Sequence, residues 1–178
     1  VAAEVEAVDV LAAQCGLTRA DDQVAAHWME NRNHVPSWTE LFDQDLVVDT
    51  IEISGSWSNI ELIYDQSIAD VSAVEGVVAV SAHSSHAYRT GVNLYFTFAG
   101  LSDDPQVLEN IYLACWHAVM EATAAHGGGV AHHHGIGRVR KPYLVHDLGE
   151  AGVALLRTVK NAVDPEGLMN PGNLLPDA

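Results

Sequence analysis

Three consecutive histidines, His132 to His134, are the side chains in this sequence best suited to chemistry, and glycines flank them on both sides. Imidazole titrates near neutral pH and also binds metals, while glycine lets the backbone approach a ligand closely. Three of the eight basic residues follow within four positions, namely Arg138, Arg140 and Lys141. The pattern predicts a site for an anionic ligand or a cofactor. The alternative is a surface loop whose histidines are solvated.

Two further groups of histidines and tyrosines precede the triplet. His83, His86 and Tyr88 lie in one segment, and Tyr95 lies in the next. Imidazoles and phenols that meet on one sheet face would suit acid–base catalysis. Taken singly, His83, His86 and Tyr95 are also typical of packed side chains in strands. In an extended segment His132 and His134 would share a face and His133 would take the other, so one metal would not bind all three. We therefore predict no metal.

Hydrophobic periodicity predicts the elements that must position these residues. The expected helices cover residues 1–14, 21–32, 58–74, 103–126 and 148–163, and the expected strands cover 46–54, 77–88, 92–98 and 130–134. The order β-α-β-β-α-β between residues 46 and 134 is ferredoxin-like. It predicts an α+β fold, an antiparallel sheet with flanking helices. In that order the fourth strand lies at an edge beside the second, next to the His83 to Tyr88 segment.

Size and charge narrow the class of protein. The chain has 178 residues and a net charge of −16, which disfavours nucleic acid and anionic membranes as partners. It has no apolar run of the ~18 residues that a membrane helix needs and no basic leader, so we expect a cytoplasmic protein. Because the sequence begins with valine in the middle of helical sequence, we expect a piece of a longer protein. Whether it forms a homodimer stays open.

Three segments resemble a known family. They are the run Gly128–Lys141, the hairpin with Tyr88, Gly91 and Tyr95, and the tail Asp164–Leu175. Together they resemble the C-terminal half of FAD-linked oxidases of the vanillyl-alcohol-oxidase superfamily, and within it the alkyldihydroxyacetonephosphate synthase family. The resemblance implies that residues 46–178 form a cap, or substrate, domain over a flavin that a separate N-terminal domain binds. Residues 1–45 would be a helical lead-in from that domain.

The resemblance also implies roles for individual residues. Tyr95, His133 and His134 would be catalytic beside the flavin ring. The residues near FAD would be His132, His133, Asn170 and Asn173. The substrate, a small molecule that bears a phosphate or a carboxylate, would be bound by Tyr88, His86, Arg138 and Arg140. The activity implied is that of an FAD-dependent oxidoreductase or of an alkyl-transferring synthase.

The sequence departs from the synthase pattern in one place. That family has an arginine just before the first cap strand, whereas the corresponding stretch here, Val35–Glu40, has none. Arg138 or Arg140 would have to supply the missing cation. Two alternatives therefore stay open. One is a metal-assisted FAD-dependent 2-hydroxy-acid dehydrogenase, although Tyr95 stands where those enzymes carry a ligand histidine. The other is a non-enzymatic module that binds a small anion through Gly127–Lys141.

Overall fold

The computed structural model describes residues 1–177, and the chain divides into two compact units, Val1–Ser37 and Trp38–Ala178. The first unit contains two helices, α1 (Ala2–Gln14) and α2 (Asp22–Asn31). Asp21 caps α2 by accepting a hydrogen bond from the Gln23 N–H, as expected for an acidic side chain at this position. Neither helix buries a residue, so the core that positions the site lies in the second unit.

The second unit contains a three-stranded sheet and its helices. Its elements are α3 (Trp38–Phe42), β1 (Leu46–Ser56), α4 (Ile60–Ser72), β2 (Val77–His83), β3 (Gly91–Leu101), α5 (Pro105–Ala125), a 3₁₀ turn (Lys141–Tyr143) and α6 (Leu144–Val163). The strand order is β1-β3-β2, and both pairs are antiparallel. The predicted α+β class with an antiparallel sheet is confirmed.

The register of the sheet separates a core face from an open face. Ile51 pairs with Phe96, and both are fully buried among residues of α4 and α5 such as Ile63 and Val119. Because side chains alternate along a strand, the adjacent pair, Glu52 and Tyr95, lies on the opposite face. His83 of β2 also pairs with Tyr95. A row of three ionisable side chains therefore crosses the sheet.

The prediction of a fourth strand was wrong. Residues 130–134 form no strand, and the chain touches the sheet only where Gly129 exchanges backbone hydrogen bonds of 2.8 and 3.0 Å with Ser54. This contact is at the end of β1, not beside β2 as expected. The physical reason is that the N–H groups of His132 and His133 bind the Glu52 carboxylate instead of a neighbouring strand.

Two predicted boundaries were also wrong. The strand β2 ends at His83 instead of continuing to Tyr88, because the Asn93 side chain accepts the N–H groups of Ser85 and His86 and so ends the ladder. The last helix begins at Leu144, four residues early, and it kinks at Gly149, whose φ is +66°. None of the helices within residues 1–177 is long and apolar enough to span a bilayer.

Candidate active site

The centre of the site is Glu52, a residue that the sequence analysis did not single out. Its side chain is fully buried on the open face of the sheet. Glu52 Oε1 lies 2.9 Å from Nδ1 of His132 and 2.8 Å from Nδ1 of His133, and Oε2 lies 4.0 Å from Nδ1 of His134. The three histidines thus surround one carboxylate. The expectation that they alternate between two faces was wrong, because their segment is not extended.

Two tyrosines bind the far side of two of these imidazoles. The hydroxyl of Tyr95 lies 3.2 Å from Nε2 of His133, and that of Tyr88 lies 2.9 Å from Nε2 of His132. The ring of His86 lies 5.6 Å from the rings of both histidines. The structure therefore brings together the predicted residues of three separate segments. The chemistry available to such pairs is proton transfer between a phenol and an imidazole.

Main-chain contacts hold the histidine segment in place. The Val130 N–H donates to the Asp147 carboxylate at 3.1 Å, and Glu52 Oε2 accepts the N–H groups of His132 and His133 at 3.1 and 3.3 Å. Gly128 allows the close approach, since a Cβ there would lie 2.7 Å from Ile63 and 2.9 Å from the Ser54 carbonyl oxygen. These contacts explain why the loop covers Glu52.

The surroundings of Glu52 favour its ionised form. Burial by itself would raise the pKa of this carboxyl. The N–H groups of His132 and His133, together with the charge of the neighbouring imidazoles when protonated, lower the pKa more, so that it falls below its ordinary value. An ionised carboxylate at neutral pH therefore lies beneath the histidines.

The two arginines predicted to bind substrate are placed differently. Arg140 is buried, donates to the carbonyl oxygens of Glu52 and Gly135 at 3.2 and 3.3 Å, and stacks 4.7 Å from the Trp116 ring. Burial lowers the pKa of its guanidinium by more than the charges of Glu52 and Asp49 raise it, so the pKa lies below its ordinary value. Arg140 thus holds the loop. Arg138 is exposed and lines a cavity of about 360 Å³ that includes no residue of the triplet.

The tail asparagines contact one another and not the histidines. Asn173 Nδ2 donates to Asn170 Oδ1 at 2.6 Å. The tail is nevertheless attached to the loop after the triplet, because the Leu174 N–H donates to the Gly137 carbonyl oxygen at 3.2 Å. The predicted role of Asn170 and Asn173 near FAD stays a prediction.

Two further cavities differ in their relation to the site. One of about 310 Å³ lies beside the Tyr88–His132 pair and is lined mainly by glycine and by Ser54, Ser56 and Thr90. The larger, of about 620 Å³, is apolar and is lined by residues such as Trp38, Phe42 and Tyr112. No predicted site residue lines the larger cavity, whereas Tyr88 and His132 line the smaller one.

The cluster also has the composition of a metal site. One ligand atom each from Glu52, His132 and His133 lies within 4.8 Å of the other two. Nδ1 of His132 lies 2.9 Å from Nδ1 of His133 as well as 2.9 Å from Glu52 Oε1. The prediction that no metal is used is not tested by this geometry.

One signal in the sequence could have identified Glu52. It stands between two isoleucines, Ile51 and Ile53, in a predicted strand, so its side chain must lie on the face opposite theirs. A charged residue that is fully buried there needs partners. The histidine triplet is distant in sequence, and no local pattern links it to β1.

Comparison with known proteins gives a consistent family. The sequence profile described as "FAD linked oxidases, C-terminal domain" matches residues 1–174. Alkyldihydroxyacetonephosphate synthase of Trypanosoma brucei brucei is 36% identical over 141 residues, which are 78% of this chain and 22% of that protein. The uncharacterized FAD-linked oxidoreductase YgcU of Escherichia coli K12 is 31% identical over 170 residues, 89% of this chain and 35% of that protein.

A solved structure of alkyldihydroxyacetonephosphate synthase is 24% identical, with a TM-score of 0.49 over 74% of this chain and 21% of that one. The chain spans between 22% and 35% of the length of the two curated relatives described above.

Proposed function

This chain belongs to the family of FAD-linked oxidase C-terminal domains, and from this premise we propose that it is the substrate-covering part of an FAD-dependent enzyme. The observation that carries the proposal is the Tyr95–His133 pair, with its hydrogen bond of 3.2 Å, above the buried Glu52 carboxylate. A phenol and an imidazole so paired are suited to move a proton to or from a substrate. The reaction class is acid–base assisted flavin chemistry, in an oxidoreductase or an alkylglycerone-phosphate-synthase-like enzyme.

The exposed side of the cluster fits a flavin. His133 and His134 are partly exposed, and with Tyr95 they present aromatic rings and polar atoms on the outer side of the sheet. Aromatic rings can pack against the flat ring of a flavin, and N–H or O–H groups can donate to the acceptors at its edge. Tyr95, His133 and His134 would face the flavin. When bound, the flavin supplies two-electron redox chemistry that side chains lack.

The chain's own residues would handle the proton. Tyr95 would orient the substrate through its hydroxyl and exchange a proton with it. His133 Nε2, at 3.2 Å, would take the hydroxyl proton as it leaves the phenol, and Glu52 would stabilise the resulting imidazolium through Nδ1. Tyr88 and His132 would form a second phenol–imidazole pair at the neighbouring cavity, where they would either exchange a proton in the same way or bind substrate.

Among the activities of the family, that of an alkyldihydroxyacetonephosphate-synthase-like enzyme is our first candidate, because of the relative named for it that is 36% identical. Its anionic substrate would need a cation. Arg140 is committed to carbonyl oxygens, and Arg138 lines a cavity that includes no residue of the triplet, so neither arginine lines the cavity beside Tyr88 and His132.

The test uses the protein expressed from its full natural reading frame. Two visible absorption bands would reveal bound flavin, and formation of alkyldihydroxyacetonephosphate would then identify the synthase. Anaerobic bleaching by D-lactate would instead identify a 2-hydroxy-acid dehydrogenase. A colourless protein would overturn the proposal and favour the anion-binding alternative.

A metal-assisted 2-hydroxy-acid dehydrogenase is the second candidate, favoured by the convergence of Glu52, His132 and His133. Two imidazoles and a carboxylate are common ligands of divalent metals. Elemental analysis of the full-length flavoprotein decides between the two: one divalent ion per flavin supports this candidate, and less than one tenth of an equivalent, on the order of trace contamination, rejects it.

A further inference from the structure

The cavity of about 360 Å³ at Arg138 shares no lining residue with the histidine cluster. Its walls are Leu113, Trp116, His117, Arg138, Val139 and Tyr143. Of the three cavities described above, only this one is lined by an arginine, and no aspartate or glutamate lines it. The chain has 24 acidic residues and a net charge of −16, so a cavity with a cation and no carboxylate is a favourable place for an anion. Its volume lies at the lower end of the range for ligand sites, about 300–1,000 Å³, which fits a small molecule.

The guanidinium of Arg138 is the charged group of this cavity. The side chain is exposed, and no hydrogen bond or ion pair within residues 1–177 involves its guanidinium. By contrast, Lys141 and Lys160 pair with Asp177 and Asp164. A free guanidinium can bind a carboxylate through two parallel hydrogen bonds. Since one cation balances one negative charge, the cavity favours a monoanionic carboxylate over a phosphate dianion.

A histidine and a tyrosine supply further polar atoms at the cavity. Nδ1 of His117 lies 2.6 Å from the Tyr143 hydroxyl. Burial, and then the charge of Glu121, raise the pKa of Tyr143 above its ordinary value, so the phenol stays protonated at neutral pH and adds no negative charge. Glu121 lies 3.8 Å from His117 Nδ1 without lining the cavity. Its charge offsets that of His117 when the imidazole is protonated, which leaves Arg138 as the cation on which binding depends.

The apolar wall of the cavity is held in place before any ligand binds. Trp116 is buried, its indole N–H donates to Asp49 at 3.1 Å, and the Arg140 guanidinium packs on its ring at 4.7 Å. Leu113 and Val139 add aliphatic surface. A wall that is already ordered reduces the entropy lost on binding. It suits the apolar ring or short chain of a small ligand.

We propose that this cavity binds a small carboxylate with an apolar ring or short chain, its carboxylate on Arg138 and its apolar part against Trp116. The site goes beyond the proposed function and needs neither flavin nor the histidine triplet. Arg138, which the sequence analysis assigned to the substrate, thus serves a second ligand.

The test is isothermal titration calorimetry of the full-length protein with benzoate, and benzamide is the uncharged control of nearly the same shape. For so small a ligand we expect a Kd on the order of 1 mM. Benzamide should bind at least about tenfold more weakly, because it lacks the charge-assisted hydrogen bonds. Arg138→Gln should weaken benzoate binding by a similar factor, and Arg138→Lys, which keeps the charge, should recover part of it.

The matched control is Arg19→Gln. It removes the same charge from an exposed arginine that pairs with Asp22 and lines none of the three cavities, so benzoate should bind as tightly as in the wild type. The ¹H–¹⁵N signals of the tryptophan indoles report where benzoate lies. The Trp116 signal, assigned with Trp116→Phe, should shift on titration in the wild type and not in Arg138→Gln.

Several outcomes would overturn the proposal. They are no detectable benzoate binding, equal affinity for benzoate and benzamide, and equal affinity of wild type and Arg138→Gln for benzoate. Binding that changes the visible flavin spectrum and persists in Arg138→Gln would also overturn it, because benzoate would then lie at the flavin. A colourless protein that binds benzoate through Arg138 would overturn the proposed function and support this site, so the two failures are distinguishable.

Discussion

At the scale of single residues, Tyr95 contacts three groups of the site. It lies opposite Glu52 in the sheet register, hydrogen-bonds His133 and stacks on the His83 ring at 5.0 Å. The phenol is therefore fixed from three sides, while part of its surface stays open for a ligand. Its hydroxyl is the atom on which the proposed chemistry depends.

Replacing Tyr95 by Phe removes that hydroxyl and keeps the ring. We expect the rate of flavin reduction by substrate in the full-length enzyme to fall about 10²- to 10⁴-fold, the usual contribution of a general acid or base, with flavin still bound. Stopped-flow absorbance measures it. The matched control is Tyr64→Phe, in which an exposed phenol on α4 packs against Phe96, and its rate should be unchanged. Equal rates in Tyr95→Phe and wild type would remove Tyr95 from the mechanism.

At the scale of elements, the strands and helices were predictable where periodicity is local. The elements β1, β3 and α5 were predicted from alternating or helical spacing of apolar residues, although β1 and β3 extend two and three residues beyond their predicted ends. The histidine segment was not predictable, because its conformation depends on a carboxylate 80 residues earlier. Likewise β2 ends early through a side-chain acceptor, Asn93, that belongs to another strand.

Because the histidine loop lies so close to β1 at Gly128, a methyl group added there should reduce the stability of the protein. In Gly128→Ala the Cβ would lie 2.9 Å from a backbone oxygen of Ser54, and no rotamer change relieves that contact. We expect a loss of about 1–3 kcal/mol in the free energy of unfolding, as for other overpacked sites, and slower flavin reduction. Urea unfolding and stopped-flow absorbance measure the two effects.

The matched control for Gly128→Ala is Gly16→Ala. Gly16 has φ of +70° and no atom within 4 Å of the added Cβ, so it should lose only about 1–2 kcal/mol from left-handed strain and keep the wild-type rate. If the two variants reduce flavin equally fast, the loop does not depend on the approach at Gly128.

The contacts of Asp164 at the end of α6 predict that the free energy of unfolding depends on pH. Asp164 accepts from Lys160 and from the N–H groups of Leu168 and Met169 at 2.9 Å. The Lys160 hydrogen bond and then that of Met169 lower the pKa of Asp164, against the opposing effect of desolvation. A lowered folded-state pKa gives stability that is present above the unfolded pKa, about 3.9, and is lost as pH falls through the folded value.

We therefore expect Asp164→Asn to be less stable than wild type at pH 7 and the difference to shrink below about pH 4. Urea midpoints between pH 7 and pH 2 measure it. Asp177→Asn, which alters an exposed carboxylate paired with Lys141, is the control and should show a much smaller difference at pH 7. A difference for Asp164→Asn that stays constant across the range would contradict the prediction.

At the scale of the whole molecule, the net charge of −16 should make the thermal stability depend on salt. Like charges repel across the surface, and salt screens them over about 10 Å at 0.1 M. We expect the thermal midpoint of the 178-residue chain to rise between 10 mM and 500 mM NaCl. Differential scanning calorimetry measures it, and glucose at equal osmolality is the control for non-ionic effects. A falling midpoint would mean that ion pairs outweigh the repulsion.

The strand order places both β1 and β2 at borders of the sheet. Within residues 1–177 only β3 pairs with β2, whereas the end of β1 also exchanges backbone hydrogen bonds with Gly129. A border strand carries a row of open backbone donors and acceptors, which can template the addition of a strand from another molecule. Val78 adds an apolar side chain that is 60% exposed. Preparations of this chain should therefore be vulnerable to self-association at Val77–His83, and Val78→Lys should reduce aggregation during expression.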